Sequence, residues 1–240
     1  DPYLSRGLGD VYKRQSTFGA LPFALSQETN LSFIDALFES ISGLTTTGAT
    51  VFTNLEDLPK SILYYRQQLQ WLGGIGIVVI AVSILPMIGV GGMQIYKAET
   101  PGPIKDTKLT PRIAETANAL FKIYVFLTVV CAIAYWVAGM SWFDALSHSF
   151  STISIGGFST YDESLGHFDN NAVLTIASIF MVVSGLNFAL HYTAWHARSI
   201  KSYISDPEAR LFVLVILFGI LVTTYSVSYT HLRAHETDTD

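Results

Sequence analysis

Four long stretches of this chain hold no charged side chain. They lie between Arg66 and Lys97, Lys122 and Asp144, Asp169 and Arg198, and Arg210 and Arg233, and they are 30, 21, 28 and 22 residues long. A helix needs about 20 apolar residues to cross a bilayer core, so each stretch is long enough. A helix in a soluble core is shorter and keeps a polar face. The 240 residues are 50% hydrophobic and only 14% charged, against about 25% charged in a soluble domain. The pattern implies a multi-pass, all-α membrane protein. Spans are expected over Leu63–Leu85, Ile123–Ala138 and Ala172–Trp195, with another entering near Leu211. Thr110 and Asp206, each followed by proline, are expected to cap the helices that begin at Pro111 and Pro207.

Lysine and arginine set the orientation of such a chain. Segment 97–122 carries five and segment 198–210 three, whereas none falls between Asp144 and Asp169. The two basic loops are therefore placed in the cytoplasm, and the segments around residues 32–50 and 141–159 towards the outside. The single cysteine, Cys131, excludes a disulfide framework.

The two ends read differently. Back-translated, "DVYKRQ" (Asp10–Gln15) and "VSYTHL" (Val227–Leu232) are reverse complements over their shared length and match a transposon end used in sequencing libraries. Residues 1–15 and 227–240 are expected to be translated adaptor. What remains divides into residues 16–96, 97–122, 123–197, 198–210 and 211–226: a first helix–loop–helix unit, a cytoplasmic loop, a second unit, a second cytoplasmic loop and the start of a third unit.

An internal repeat links the two outward segments. "SFIDALFESISGLTTTGAT" (Ser32–Thr50) lies over "SWFDALSHSFSTISIGGFS" (Ser141–Ser159) at an offset of 109 residues, with seven of nineteen positions identical. Asp35 to Gly48 and Asp144 to Gly157 are both separations of 13 residues. Each copy starts with a short helix followed by an uncharged strip. About ten residues at 1.5 Å each reach roughly 15 Å, half of a hydrocarbon core. Extended backbone beyond such a half-helix survives at membrane depth only where protein buries it or where it lines an aqueous cavity. Rings of carbonyls there can replace the water shell of a cation. Glycine suits the turning point because it tolerates positive φ, and the helix C-terminus adds a partial negative charge. The strips thus read as walls of a selectivity filter formed by Thr46, Thr47 and Gly48 and by Ile155, Gly156 and Gly157. The plainer alternative makes Gly48 and Gly157 tight turns between helices.

Other residues carry weaker signals. Asp35 and Asp144 read as caps of the short helices rather than ion ligands. Glu39 and His148, at matching places in the repeat, read as packing or hydrogen bonding behind the strips. Gly73, Gly74 and Gly76 fit no nucleotide-loop pattern and read as close helix packing, and Gly89–Gly92 as a bend. His191 and His196, five residues apart, fall on different helical faces. No nucleophile–base or paired-carboxylate arrangement suggests an enzyme, and nothing points to nucleic acid.

The motifs "SGLTTTGAT", "YRQQLQWLGGIGI", "GVGGMQIYKAETPGPIKD", "TPRIAET" and "STISIGGFST" together resemble the Trk/Ktr/HKT superfamily of potassium transporters. The resemblance runs over essentially all of Ser16–Ser226. It implies four tandem membrane helix–pore loop–membrane helix units around one pathway, of which this chain holds two, so that it is not expected to conduct alone. It implies potassium as the transported ion with no cofactor, a homodimer in a bacterial plasma membrane, and a cytoplasmic nucleotide-binding regulatory subunit of TrkA type. Gly48 matches the first filter glycine of that superfamily, and Gly157, with Gly156 beside it, the second. Glycine at both favours potassium, whereas serine at the first accompanies sodium transport. Lys105, Lys108 and Arg112 become candidate contacts for the regulator or for anionic lipid, beside their plainer role in fixing orientation. A secondary transporter of another fold and a non-transporting membrane assembly subunit remain the alternatives.

Overall fold

The computed structural model describes residues 2–88 and 109–237, with side chains described for 13–76, 115 and 117–227. The expected bend at Gly89–Gly92, much of the loop 97–122, and Lys105 and Lys108 lie outside the described residues. The described chain is helical, and no strand occurs within it. It divides into two units, Asp1–Gly185 and Leu186–Asp240.

In the first unit α1 (Pro2–Leu25), α2 (Phe33–Leu44), α3 (Lys60–Ile88), α4 (Leu109–Val137), α5 (Trp142–Ile153) and α6 (Asn171–Gly185) pack in a chain of neighbours. The helix α3 is the hub, touching α2, α4 and α5. One apolar cluster joins α1, α2, α3 and the loop between the last two through Phe23, Ala36, Leu44, Phe52, Leu55, Ile62, Leu63 and Leu69. The polar stitches across it are short: Ser40 donates to the Ser16 carbonyl at 2.8 Å and Tyr65 to the Gly19 carbonyl at 3.0 Å.

Two of the three glycines assigned to close packing do that work. A Cβ on Gly73 would fall on the Leu44 carbonyl at the end of α2, and one on Gly74 would strike Ser154 and the Tyr124 hydroxyl at the end of α5. The helix α3 thereby approaches the C-terminal ends of both short helices at backbone distance. Gly76 meets nothing within 4 Å among the described residues.

Along α4, Tyr124, Thr128, Cys131 and Tyr135 form a buried stripe, while Phe126, Val129, Ile133 and Trp136 stand exposed. An apolar face of this kind along a helix of membrane length suits contact with lipid or with a further helix. Residues 117–137 of α4 and 207–227 of the last helix are each long and apolar enough to cross a bilayer.

The second unit holds α7 (Phe188–Ala197), α8 (Lys201–Ser205) and α9 (Pro207–Thr237). Two expectations need correction. The span drawn over Ala172–Trp195 is not one helix: α6 ends at Gly185, and Asn187 opens α7 by accepting a hydrogen bond from the Ala189 amide at 3.0 Å. Glycine weakens helix continuation and asparagine is a preferred N-cap. The helix α4 is already formed at Leu109, so Thr110 lies inside it rather than before it. Proline is tolerated there because the first four amides of a helix have no intrahelical partner. Asp206 does cap α9, accepting from the Ala209 amide at 2.8 Å.

Candidate ion pathway at two paired strips

The short helices begin and end alike. Ser32 and Ser141 are the N-caps, accepting from the amides of Asp35 and Asp144 at 3.2 and 3.1 Å while donating to those carboxylates at 2.7 and 2.6 Å. The aspartates expected as caps therefore occupy the third helical position of a reciprocal capping turn. Asp144 also accepts from Thr160 at 3.0 Å and Tyr161 at 3.2 Å. Tyr161 titrates above its ordinary value, through burial first and the nearby Asp144 carboxylate second, so its hydroxyl stays a donor.

At the C-terminal ends the Thr46 and Ile155 amides reach the carbonyls of Gly43 and Thr152, and the Thr47 and Gly156 amides those of Ser42 and Ser151. This is a Schellman ending, in which the turning residue is left-handed and usually glycine. Here the turning residues are β-branched, Thr46 at φ 55° and Ile155 at φ 53°. Such backbone costs on the order of 1–3 kcal/mol per residue and persists only when its surroundings hold it. Gly48 and Gly157, two residues on, have φ 78° and 84°.

The strips meet. A Cβ on Gly48 would fall on the Gly156 carbonyl oxygen and lie 3.5 Å from the Gly157 α-carbon. Among the described residues, no hydrogen bond reaches the carbonyls of Thr46, Thr47, Gly48, Ile155 or Gly157. The Gly156 carbonyl differs: it accepts from the Gln70 side-chain amide at 2.7 Å and faces the seam between the strips. The two glycines of the second strip divide the labour. A Cβ on Gly156 would collide with the Gln70 amide group, whereas one on Gly157 would meet nothing within 4 Å.

Behind the strips lies a polar layer built on the fully buried Arg66 and Glu39. Arg66 of α3 donates to Glu39 at 2.7 Å, to the Thr50 hydroxyl at 2.9 Å and to the Ser159 carbonyl at 3.1 Å, and its guanidinium lies over the rings of Phe52 and Phe158. Glu39 in turn accepts from Thr50 at 2.9 Å and from the Val51 amide at 3.1 Å. His148 fills the corresponding place in the second copy, with its ring nitrogens 2.9 Å from the Asp144 carbonyl and 3.1 Å from the Ser159 hydroxyl. On the loops beyond, Asp162 accepts from the Asn54 and Leu55 amides at 2.8 and 3.1 Å. Glu39 and His148 thus sit where the repeat placed them. Arg66 and Gln70 went unassigned in the sequence, although their signal was present: two polar residues one turn apart, with Gln70 inside an apolar stretch, where such residues are costly unless partnered.

Of the basic candidates, only the backbone of Arg112 is described, within α4. No group of three or more His, Cys, Asp or Glu side chains among the described residues has metal-binding geometry.

A helical membrane protein whose candidate site is lined by peptide oxygens rather than charged side chains falls in the class that handles cations. A sequence profile described as "TrkH: Cation transport protein" matches residues 13–234, and the chain belongs to that family, a family of transporters rather than enzymes. The Trk system potassium uptake protein TrkH of Halomonas elongata is 59% identical over 220 residues, covering 92% of this chain and 45% of that protein. The TrkH of Escherichia coli K12 is 57% identical over 206 residues, covering 86% and 43%. The crystal structure of the potassium transporter TrkH from Vibrio parahaemolyticus matches with a TM-score of 0.77 and 48% identity, over 88% of this chain and 42% of that one. The chain thus spans less than half the length of these relatives.

Proposed function

We propose that this chain supplies the first two walls of a potassium uptake pathway, with the strips Thr46–Gly48 and Ile155–Gly157 as its selectivity filter. The observation that carries this reading is the seam itself: two left-handed turns, in contact, presenting five carbonyls that accept no hydrogen bond among the described residues. A dehydrated alkali cation is held by oxygens of that kind. Ile155 and Gly157 contribute carbonyls, while Gly156 serves the close approach of the strips. The matching caps, helix lengths and turn signs of the two copies support tandem units, and family membership favours transport over a secondary transporter of another fold or an assembly subunit. In the complete protein two further units close the pathway, the strips face outward across a bacterial plasma membrane, and the molecule works as a dimer. The relatives' designation as parts of a Trk system supports a regulatory partner of TrkA type, with Lys105, Lys108 and Arg112 on the cytoplasmic side as its contacts.

The test is Gly48→Ser in the full-length protein, with potassium and sodium uptake measured per transporter in cells lacking other potassium importers. Relaxed discrimination is expected. An unchanged ratio of the two fluxes removes the filter from these residues.

A further inference from the structure

The second strip is held by one side chain in an unusual way. The amide group of Gln70, fully buried on α3, donates through Nε2 to the Gly156 carbonyl at 2.7 Å and accepts through Oε1 from the Phe158 amide at 3.1 Å. These two bonds fall on either side of Gly157, the residue with φ 84° and no neighbour for a Cβ within 4 Å. Among the described residues nothing lies within 4 Å of where a Gly157 Cβ would stand. Its position is set by its neighbours in the chain, and Gln70 grips both.

The contact also fixes the distance between the strips. The Gly156 carbonyl that Gln70 holds is the atom against which Gly48 rests. Where Gln70 puts that oxygen decides how close the first strip comes. The need for a grip is plain from the strain in the turns: Ile155 is β-branched and left-handed, and it relaxes unless held. A primary amide suits the task, because one group supplies both a donor and an acceptor. A carboxylate of the same size keeps only the acceptor, and an apolar chain of similar volume keeps neither. The base of α3 is anchored independently, since Arg66, one turn earlier, is tied to Glu39, Thr50 and Ser159.

We infer that Gln70 is a positioning residue for ion discrimination: its side-chain amide brackets Gly157 and sets the spacing of the two strips, so that selectivity depends on it although it touches no ion. This rests on the pathway reading above, and the test separates the two.

Gln70→Glu and Gln70→Met are compared with wild type and with Gly48→Ser in the full-length protein. Potassium, rubidium and sodium uptake are measured per folded transporter, counted by size-exclusion of the detergent-solubilised protein. A purely structural role lowers the number of folded transporters and leaves the flux ratios alone. A positioning role changes the potassium-to-sodium ratio among the molecules that fold, by on the order of tenfold for the loss of two buried hydrogen bonds. An altered ratio in either variant supports the inference. An unaltered ratio in every variant that folds overturns it, as does failure of both variants to fold, which makes Gln70 a fold residue. If Gly48→Ser shifts the ratio while Gln70 variants do not, the inference fails and the filter stands. If Gly48→Ser has no effect, the filter reading itself is at fault.

Discussion

Gly48 and Gly157 look equivalent in the repeat, yet the structure separates the consequences of giving each a side chain. Alanine at Gly157 meets open space, so its cost is the left-handed backbone alone, about 1–2 kcal/mol. Alanine at Gly48 carries the same backbone cost, and its Cβ lands on the Gly156 carbonyl, which is backbone and has no rotamer to escape into. The second strip must move away by on the order of 1 Å to restore ordinary contact. That motion draws the carbonyl off Gln70 and leaves a buried amide unpaired, a further 1–3 kcal/mol or so. Gly48→Ala is therefore expected to lose about 2–5 kcal/mol and Gly157→Ala about 1–2 kcal/mol. Fluorescence-detected size-exclusion after graded heating of the full-length variants ranks them directly. Equal loss of thermal stability, or greater loss at Gly157, refutes the seam geometry.

Removing one partner from the buried ion pair gives a larger effect. Arg66→Met strands Glu39 without a counter-charge and is expected to cost about 3–5 kcal/mol, seen as loss of folded protein and regained in part by adding Glu39→Gln. Glu39→Gln alone leaves the Arg66 charge uncompensated behind the strips, so the KM for potassium should rise among the molecules that fold; an unchanged KM argues that this cation lies electrically remote from the pathway. Asp162→Asn weakens the cap on the Asn54 and Leu55 amides, with a loss of about 1 kcal/mol and faster hydrogen exchange confined to residues 54–58.

What the sequence disclosed and what it hid follow from the range of the interactions. Charge-free length and the spacing of the repeat are local properties, and they located the helices, the short half-helices and the two left-handed glycines. Capping is local too, although Ser32 and Ser141 took the role expected of the aspartates that follow them. The contacts of Arg66 with Ser159 and of Gln70 with Gly156 cross 93 and 86 residues, and no periodicity reports such pairings. The break after Gly185 was hidden because Leu186, Phe188 and their neighbours keep the hydropathy of a span, while Asn187 starts a new helix as its N-cap. The left-handed turns at Thr46 and Ile155 ran against residue preference, since β-branched side chains disfavour that region. Their placement required the tertiary contacts that hold it.

Those contacts explain why the strips expose oxygen rather than collapse into ordinary secondary structure. Several of the amide donors near the strips are already committed. The Thr46, Thr47, Ile155 and Gly156 amides close the helix ends. The Val51 amide is taken by Glu39, that of Phe52 by the Thr50 hydroxyl, that of Phe158 by Gln70 and that of Tyr161 by the Ser159 hydroxyl. Arg66 fits the same logic. Its charge is matched by Glu39 and covered by two aromatic faces, so it ties Thr50 to Ser159 without presenting a bare cation to the proposed pathway. On the pathway proposed above, selectivity for a positive ion rests on the strip carbonyls that accept no hydrogen bond among the described residues.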